Sequence, residues 1–91
     1  MAEVRELERP LKALANRRRL AIARYLKREG EATVGNIAGE IDISFKSTSK
    51  HLAVLFAADI VDREQRSLQM YYRLTNTNSQ KPIVRAIIGF L

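Results

Sequence analysis

The sequence has no cysteine and no tryptophan, and it has a single histidine among its 91 residues. Without thiols the chain forms no disulfide, no thiolate metal site and no cysteine nucleophile, which suits a reducing compartment. One histidine alone does not build a zinc site, because such sites take several protein ligands. Since a glycine-rich phosphate loop and clustered carboxylates are also missing, we expect no metal, no cofactor and no enzymatic activity.

Long apolar runs are missing as well. No segment approaches the roughly 18 consecutive apolar residues that a membrane span requires. Residues 1–6 alternate in charge, where a signal peptide has an apolar core. We therefore expect a cytoplasmic protein without a membrane partner. The length, with 46% hydrophobic and 29% charged residues, favours a single folded domain over residues 1–91.

Positive charge is what the sequence has in excess. Lysine and arginine number 16 against 10 aspartates and glutamates, which gives a net charge of +6. The excess is concentrated between Arg9 and Arg28, where eight basic residues and no acidic residue occur. Clustered positive charge of this kind is typical of proteins that bind nucleic acid or an anionic membrane surface.

The first part of the chain has the apolar period of helices. The pattern predicts one helix that ends near Ala15 and a second from Arg17 to Arg28, with Asn16 as the N-cap between them. Pro10 is expected to start or kink the first helix, because a proline inside a helix removes a hydrogen bond. Residues 1–8 are then either a separate helical turn or an extended arm.

Residues 33–57 have the spacing of a helix-turn-helix. Thr33 is the expected N-cap of a short helix, Val34–Ile41, and Ser44 is the expected N-cap of a longer one, Phe45–Ala57. Only a few residues separate the two helices, as in that motif. The longer helix is expected to turn four side chains inward: Thr48, Leu52, Leu55 and Phe56.

After Asp59 the period changes to that of strands. Ile60–Arg63 and Gln69–Leu74 are rich in β-branched and aromatic residues, and they predict a hairpin with a polar tip at residues 64–68. A polar linker, Thr75–Ser79, then precedes a last helix with Pro82 in its first turn. The expected fold is mainly α with a small β-hairpin, in the order α-α-α-α-β-β-α.

Three stretches resemble the ArsR family of winged helix-turn-helix transcriptional repressors. Leu11–Leu20 contains a Leu-Ala-Asn step followed by an Arg-Leu pair, like the start of the family's domain. Ile43–Leu55 contains the Ser-x-His-Leu-x-x-Leu pattern of its recognition helix, and Met70–Leu74 ends in Tyr-Tyr-Arg-Leu like its wing. The resemblance implies a winged helix-turn-helix, with residues 59–74 as the wing.

The chain departs from the family at its glycine and metal positions. Asp59 and Ser67 stand where the family commonly has glycine, and Asp59 can adopt the left-handed backbone at some cost. Thr33 and Gly35 stand where metal-sensing members have cysteines, and residues 75–91 contain no His, Asp or Glu. The resemblance is therefore to a member that does not sense metal.

The start of the helix at Phe45 is the expected DNA-reading surface. A recognition helix meets base edges with its N-terminal half, and residues 43–58 contain two lysines and no acid. Phe45 either contacts a thymine methyl or tucks back against the core, and His51 has a structural or phosphate-contacting role by resemblance. The candidates on this helix are Ser44, Phe45, Lys46, Ser47, Ser49, Lys50 and His51.

Two further groups are candidates for DNA contact. The hairpin offers Arg63, Gln65, Arg66 and Gln69 for the minor groove or its phosphates, unless it is only a solvated tip. Arg17 and Arg18 are candidates for backbone phosphate, unless they form a solvated helix face. By resemblance, Arg19 makes an internal polar contact.

The two ends of the chain, residues 1–15 and 79–91, are the expected dimerisation elements. The last helix has more apolar surface than one small domain buries on one side, which is typical of an interface. The resemblance also implies a dimer through the first and last helices; the alternative is a last helix packed wholly within its own monomer. The candidate interface residues are Val4, Leu7, Leu11, Leu14, Ile83, Val84, Ile87, Ile88 and Leu91.

The sequence therefore predicts a dimeric, sequence-specific DNA-binding regulator, foremost a repressor. A two-fold dimer predicts a pseudo-palindromic site on double-stranded DNA. The alternatives are a winged-helix protein-interaction module and a nucleic-acid-binding protein without sequence specificity, because fold alone does not fix function.

Overall fold

The computed structural model describes residues 1–75 and 82–91, which form five helices and a three-stranded antiparallel sheet of order β1-β3-β2. This mainly helical fold confirms the predicted class. The predicted linker beyond Thr75 and residues 79–81 of the predicted dimerisation element lie outside the described residues. The elements are α1 (Ala2–Leu14), α2 (Arg17–Glu29), β1 (Ala32–Thr33), α3 (Val34–Ile41), α4 (Phe45–Ala57), β2 (Val61–Arg66), β3 (Gln69–Leu74) and α5 (Pro82–Phe90).

Three side-chain caps fix where the central helices begin. The Asn16 side chain accepts a hydrogen bond from the backbone N–H of Arg19 at 3.1 Å. Thr33 and Ser44 likewise accept from the backbone three residues on, at 3.2 and 3.0 Å. Each cap satisfies a backbone donor that has no partner inside its helix. The predicted starts of α2, α3 and α4 are confirmed.

The expectation that residues 1–8 form a separate turn or arm is wrong. Helix α1 runs without interruption from Ala2 through Pro10 to Leu14. Pro10, Ala13 and Leu14 share its buried face. Their common burial offsets the hydrogen bond that the proline removes, so the helix continues past it.

The sheet is larger than the predicted hairpin. Strand β2 continues to Arg66, which pairs with Gln69, so the turn is Ser67-Leu68 rather than residues 64–68. Ser67 adopts a positive φ of 55°, the backbone region for which the family uses glycine. The short strand β1 pairs with β3, Ala32 opposite Tyr72, and two residues are too few to give a recognisable alternation in the sequence.

The core lies between the helices and one face of the sheet. Its fully buried side chains come from α2, α3, α4, β2 and α5 and the turn before β2, and include Ile22, Leu26, Ile37, Leu52, Leu55, Ile60 and Val84. In α4 the predicted inward positions Thr48, Leu52 and Leu55 are buried, but Phe56 is not. The ring of Phe56 lies at the edge of that face, where the Arg63 guanidinium stacks 4.0 Å from its centroid.

Leu26→Ala should lower the free energy of unfolding by about 2–5 kcal/mol, because its side chain is 1% exposed and its loss leaves a cavity. Leu68→Ala is the matched control, since Leu68 is 95% exposed and should change stability by less than about 0.5 kcal/mol. Urea unfolding followed by circular dichroism measures both. Equal losses in the two variants would contradict the described packing.

Candidate nucleic-acid interface

Helix α4 presents its first two turns to solvent. Lys46 and Lys50 are exposed, and Phe45 is 63% exposed, so of its two alternatives the one in which the ring tucks against the core is wrong. Ser47, Ser49 and His51 are half-buried beside them, and Ser44 caps the helix. The surface thus combines hydroxyl groups, two ammonium groups and one aromatic ring, and no acidic residue belongs to α4.

Local geometry sets the rotation of α4. Asp42 ends α3 in the left-handed conformation, with φ 56°, and the Ile43 N–H donates to the Ala38 carbonyl at 3.2 Å. Thr48 is buried and its hydroxyl donates to the Ser44 carbonyl at 2.9 Å. The buried Thr48 hydroxyl therefore has its hydrogen-bond partner at the start of its own helix. The lysines and serines occupy the outer face.

Arg19 joins three helices at the middle of α4. Its Nε donates to the carbonyl oxygen of Ala13 in α1, and its Nη1 lies 3.3 Å from Nδ1 of His51 in α4. Arg19 itself belongs to the first turn of α2. The internal polar contact that the resemblance implied for Arg19 is thus present, and His51 is its partner.

The neutral form of His51 is the favoured one. Burial lowers the pKa of His51, and the positive charges of Arg19 and Arg18 lower it further. A neutral ring can accept the Arg19 hydrogen bond at Nδ1, whereas a protonated ring donates at both nitrogens. The contact between Arg19 and His51 places the start of α2 beside the middle of α4.

Arg17 and Arg18 are exposed at that end of α2. Within the part of the chain that the structure describes, neither forms an ion pair. They line an open cleft of about 740 Å³ together with Arg24 and the Arg28–Glu40 ion pair, whose atoms are 2.9 Å apart. The structure therefore leaves Arg17 and Arg18 without an ion-pair partner among the described residues, beside a cleft lined by α2, α3 and Leu91.

The four predicted wing residues fall into two groups, two exposed glutamines and two arginines that have partners within the chain. Gln65 and Gln69 are exposed near the turn, but Arg63 stacks on Phe56. Arg66 pairs with both carboxylate oxygens of Glu31, at 2.6 and 2.8 Å. Its guanidinium therefore turns to a carboxylate of its own chain.

Arg66 has two more partners. It pairs with Glu64 at 2.9 Å and lies 4.5 Å from the Tyr71 ring centroid. The Arg66 hydrogen bonds lower the pKa of Glu31 and of Glu64, so both carboxylates stay charged. Tyr72 is buried on the opposite face of β3, as the alternation predicts.

An apolar surface runs over α1, the start of α2 and the end of α5. Val4, Leu7 and Leu11 are exposed, and Ile83, Ile87 and Leu91 are half-buried. Leu14, Val84 and Ile88, also predicted for the interface, are buried by this chain's own core because they face the centre of the helical layer.

Sequence analysis missed two members of this surface, Leu20 and Phe90. Both line a cleft of about 600 Å³ with Leu11 and Ile87. Phe90 is 92% exposed and lies one helical turn beyond Ile87, on the stripe that Ile83 starts. The i, i+4, i+7 spacing of Ile83, Ile87 and Phe90 was therefore the sequence signal that could have identified Phe90. We call the exposed members of this surface the apolar patch: Val4, Leu7, Leu11, Leu20 and Phe90.

Among residues 1–75 and 82–91, no group of three or more His, Cys, Asp or Glu residues is placed to hold a metal ion. No helix formed by those residues is long and apolar enough to cross a bilayer.

Sequence comparison relates the chain to bacterial regulators. The profile of the bacterial regulatory proteins of the arsR family matches residues 16–63. The biofilm growth-associated repressor of Agrobacterium fabrum is 37% identical over 73 residues, which cover 80% of this chain but only 62% of that protein. The transcriptional activator HlyU of Vibrio cholerae is 33% identical over 81 residues, 89% of this chain and 69% of that protein.

Comparison with solved structures also relates the chain to bacterial regulators. Reduced HlyU from Vibrio cholerae has a TM-score of 0.81 at 30% identity, covering 99% of this chain and 88% of that one. The homodimeric winged helix-turn-helix DNA-binding domain of Mb0332 from Mycobacterium bovis has a TM-score of 0.84 at 28% identity, covering 98% of this chain and 77% of that one. The winged helix-turn-helix prediction is confirmed, and these relatives are regulators rather than enzymes.

His51 should titrate below the ordinary histidine value of about 6.5. The unfolded chain then takes up a proton at higher pH than the folded chain, so stability should fall as the pH drops through about 6.5 toward the folded pKa. Because the chain has one histidine, its NMR titration is a single curve. Arg19→Gln should raise the midpoint only in part, since burial is the larger cause; a wild-type midpoint at or above 6.5 would contradict the contact.

Proposed function

This chain belongs to the bacterial ArsR family of regulatory proteins, and on that premise we propose that it acts as a dimeric, sequence-specific DNA-binding repressor. In this proposal residues 33–57 are the helix-turn-helix, residues 59–74 the wing, and residues 1–15 and 79–91 the dimerisation elements. Since DNA is the partner, the cytoplasm is the expected compartment.

The exposed start of α4 carries the proposal. A helix fits the major groove of B-DNA, and side chains at its N-terminal end meet the base edges. Lys46 and Lys50 are free of ion pairs with any described residue and are available to phosphate, while serine hydroxyls bond to bases or phosphates. Phe45 is available to contact a thymine methyl.

The apolar patch supports the dimer. Exposed leucines and a phenylalanine on adjoining helices form a larger apolar area than scattered surface residues do, and such areas mark interfaces. The Mycobacterium bovis relative is itself described as homodimeric. A two-fold axis through this patch would duplicate α4 and give a pseudo-palindromic operator, with half-sites about one helical turn apart.

Repression is the proposed direction of regulation because the Agrobacterium fabrum relative is named a repressor, although HlyU is named an activator.

Selection of bound sequences from a random duplex pool tests sequence specificity and half-site spacing together. A paired motif at groove spacing supports the proposal; selection without any enriched motif favours a coating protein, and no DNA binding at all favours a protein-interaction module. A promoter fusion to a reporter then separates repression from activation.

Lys50→Ala should weaken binding to operator and random duplex alike and lower the slope of log K against log salt by about one unit. The physical reason is the loss of one phosphate contact and its released counterion. Arg85→Ala, which removes an exposed cation from α5, is the matched control and should leave the slope unchanged. Fluorescence anisotropy at several salt concentrations measures both, and equal slopes for wild type and Lys50→Ala would remove Lys50 from the contacts.

Leu11→Glu should convert the dimer to a monomer, because a carboxylate in a desolvated interface has no partner there. Leu11 is 47% exposed in the protomer, so the substitution leaves the core intact. Leu68→Glu places the same charge on an exposed leucine outside the patch and should remain dimeric. Sedimentation velocity distinguishes the two; a dimer that survives Leu11→Glu would place the interface elsewhere.

A further inference from the structure

The wing holds three arginines, and the structure gives each a partner within the chain. Arg63 stacks on Phe56, and Arg73 pairs with Glu64 at 3.3 Å. Arg66 is held most firmly, by both oxygens of Glu31 and by Glu64. A bidentate arginine–carboxylate pair fixes the plane of the guanidinium as well as its position. Glu31 directly precedes β1, so the contact draws Arg66 toward the base of the hairpin and away from its tip.

What remains at the tip is uncharged. Leu68 is 95% exposed, the highest value among the large apolar side chains in the described parts of the chain. Gln69 follows it directly, Gln65 stands three residues before it on the opposite face of the hairpin, and both are exposed. A wing that bound DNA only through phosphate would present a free cation here, whereas this one presents an isobutyl group between two amides.

The tip is also preorganised. Ser67 adopts its positive φ, and the Gln65 side chain donates from Nε2 to the Ser67 carbonyl at 3.2 Å. The ladder between β2 and β3 continues to the last possible pair, Arg66 with Gln69. Leu68 therefore projects from a two-residue turn whose backbone is fixed on both sides, which lowers the entropy lost when it meets a partner.

We propose that the wing meets DNA through this uncharged tip, with Leu68 entering the minor groove between the amides of Gln65 and Gln69 while Glu31 keeps Arg66 out of it. This inference rests on the proposed function and adds the chemistry of the wing contact. The minor groove of A·T pairs has an open floor lined by acceptors, which amide groups can reach. A G·C pair adds an amino group to that floor, and this group would collide with an inserted leucine.

The experiment changes one chemical group on the DNA, the guanine amino group in the minor groove, and one on the protein, the Leu68 side chain. Operators are made with G·C or inosine·C pairs in the flanking minor groove, which differ there by the amino group alone. Wild type should bind the inosine operator about 10-fold more tightly, which is within the range that one unfavourable base pair typically costs. Leu68→Ala should bind both operators within about twofold of each other, and Leu68→Met, which restores the apolar bulk, should recover most of the preference.

A second measurement tests the role of Glu31. Glu31→Gln removes the bidentate partner of Arg66 and leaves it the pair with Glu64 at 2.9 Å, which does not fix the plane of the guanidinium. The guanidinium can then turn toward phosphate, so affinity for random duplex should rise several-fold and the salt slope should steepen by about one. Glu29→Gln is the matched control, because it removes the same charge two residues away from an exposed pair with Arg28. The control should raise affinity less and leave the slope unchanged.

The outcomes separate this inference from the proposed function. Equal preference for the inosine operator in wild type and Leu68→Ala would overturn the leucine contact, and equal slopes in Glu31→Gln and Glu29→Gln would overturn the release of Arg66. Either result, with Lys50→Ala still weakening operator binding, leaves the regulator intact and removes only the wing contact. Absence of operator binding by wild type would remove both.

Discussion

The rotation of α4 about its own axis is the constraint on which the rest of the structure depends. Thr48, Leu52 and Leu55 are buried, and burial of this face determines which side chains of the helix reach solvent. A core that is packed as densely as protein interiors are does not permit a different rotation without leaving cavities. The lysines and serines of α4 therefore face outward because the leucines on the opposite face are buried in the core.

Arg19 extends that constraint to the other helices. By bonding to the Ala13 carbonyl and approaching His51, one guanidinium connects the end of α1, the start of α2 and the middle of α4. The end of α1 also contributes to the apolar patch through Leu11. Arg19 therefore fixes the position of α4 relative to the end of α1 through two polar contacts.

Pairing, more than total charge, decides which cations of this basic chain are available. Arg28 and Arg66 are both held by carboxylates, and the hydrogen bonds raise the pKa of each guanidinium. Such exposed pairs contribute little to stability, because solvent screens them. Their effect is on availability, since Lys46, Lys50 and the arginines at the start of α2 form no ion pair with a described residue, whereas Arg66 of the wing does.

The sequence by itself determined the order of the helices and of the two hairpin strands, and the caps of the three central helices. Asn16, Thr33 and Ser44 act within three residues of their own position, and the apolar period of each helix is a local property that no distant residue has to complete. The outward face of α4 was also predictable, because its inward positions follow from the same period. The resemblance added the wing and the dimer as expectations.

Tertiary structure decided what depends on residues far apart in the chain. The third strand, the bond between Arg19 and His51, and the capture of Arg66 by Glu31 join positions separated by about 30 to 40 residues, as between 31 and 66, and no local pattern specifies such a contact. Phe56 and residues 1–8 differ from their predictions because their surroundings come from Arg63 and from the core. Local preference places a residue on an element, but its partner is set by how the elements pack.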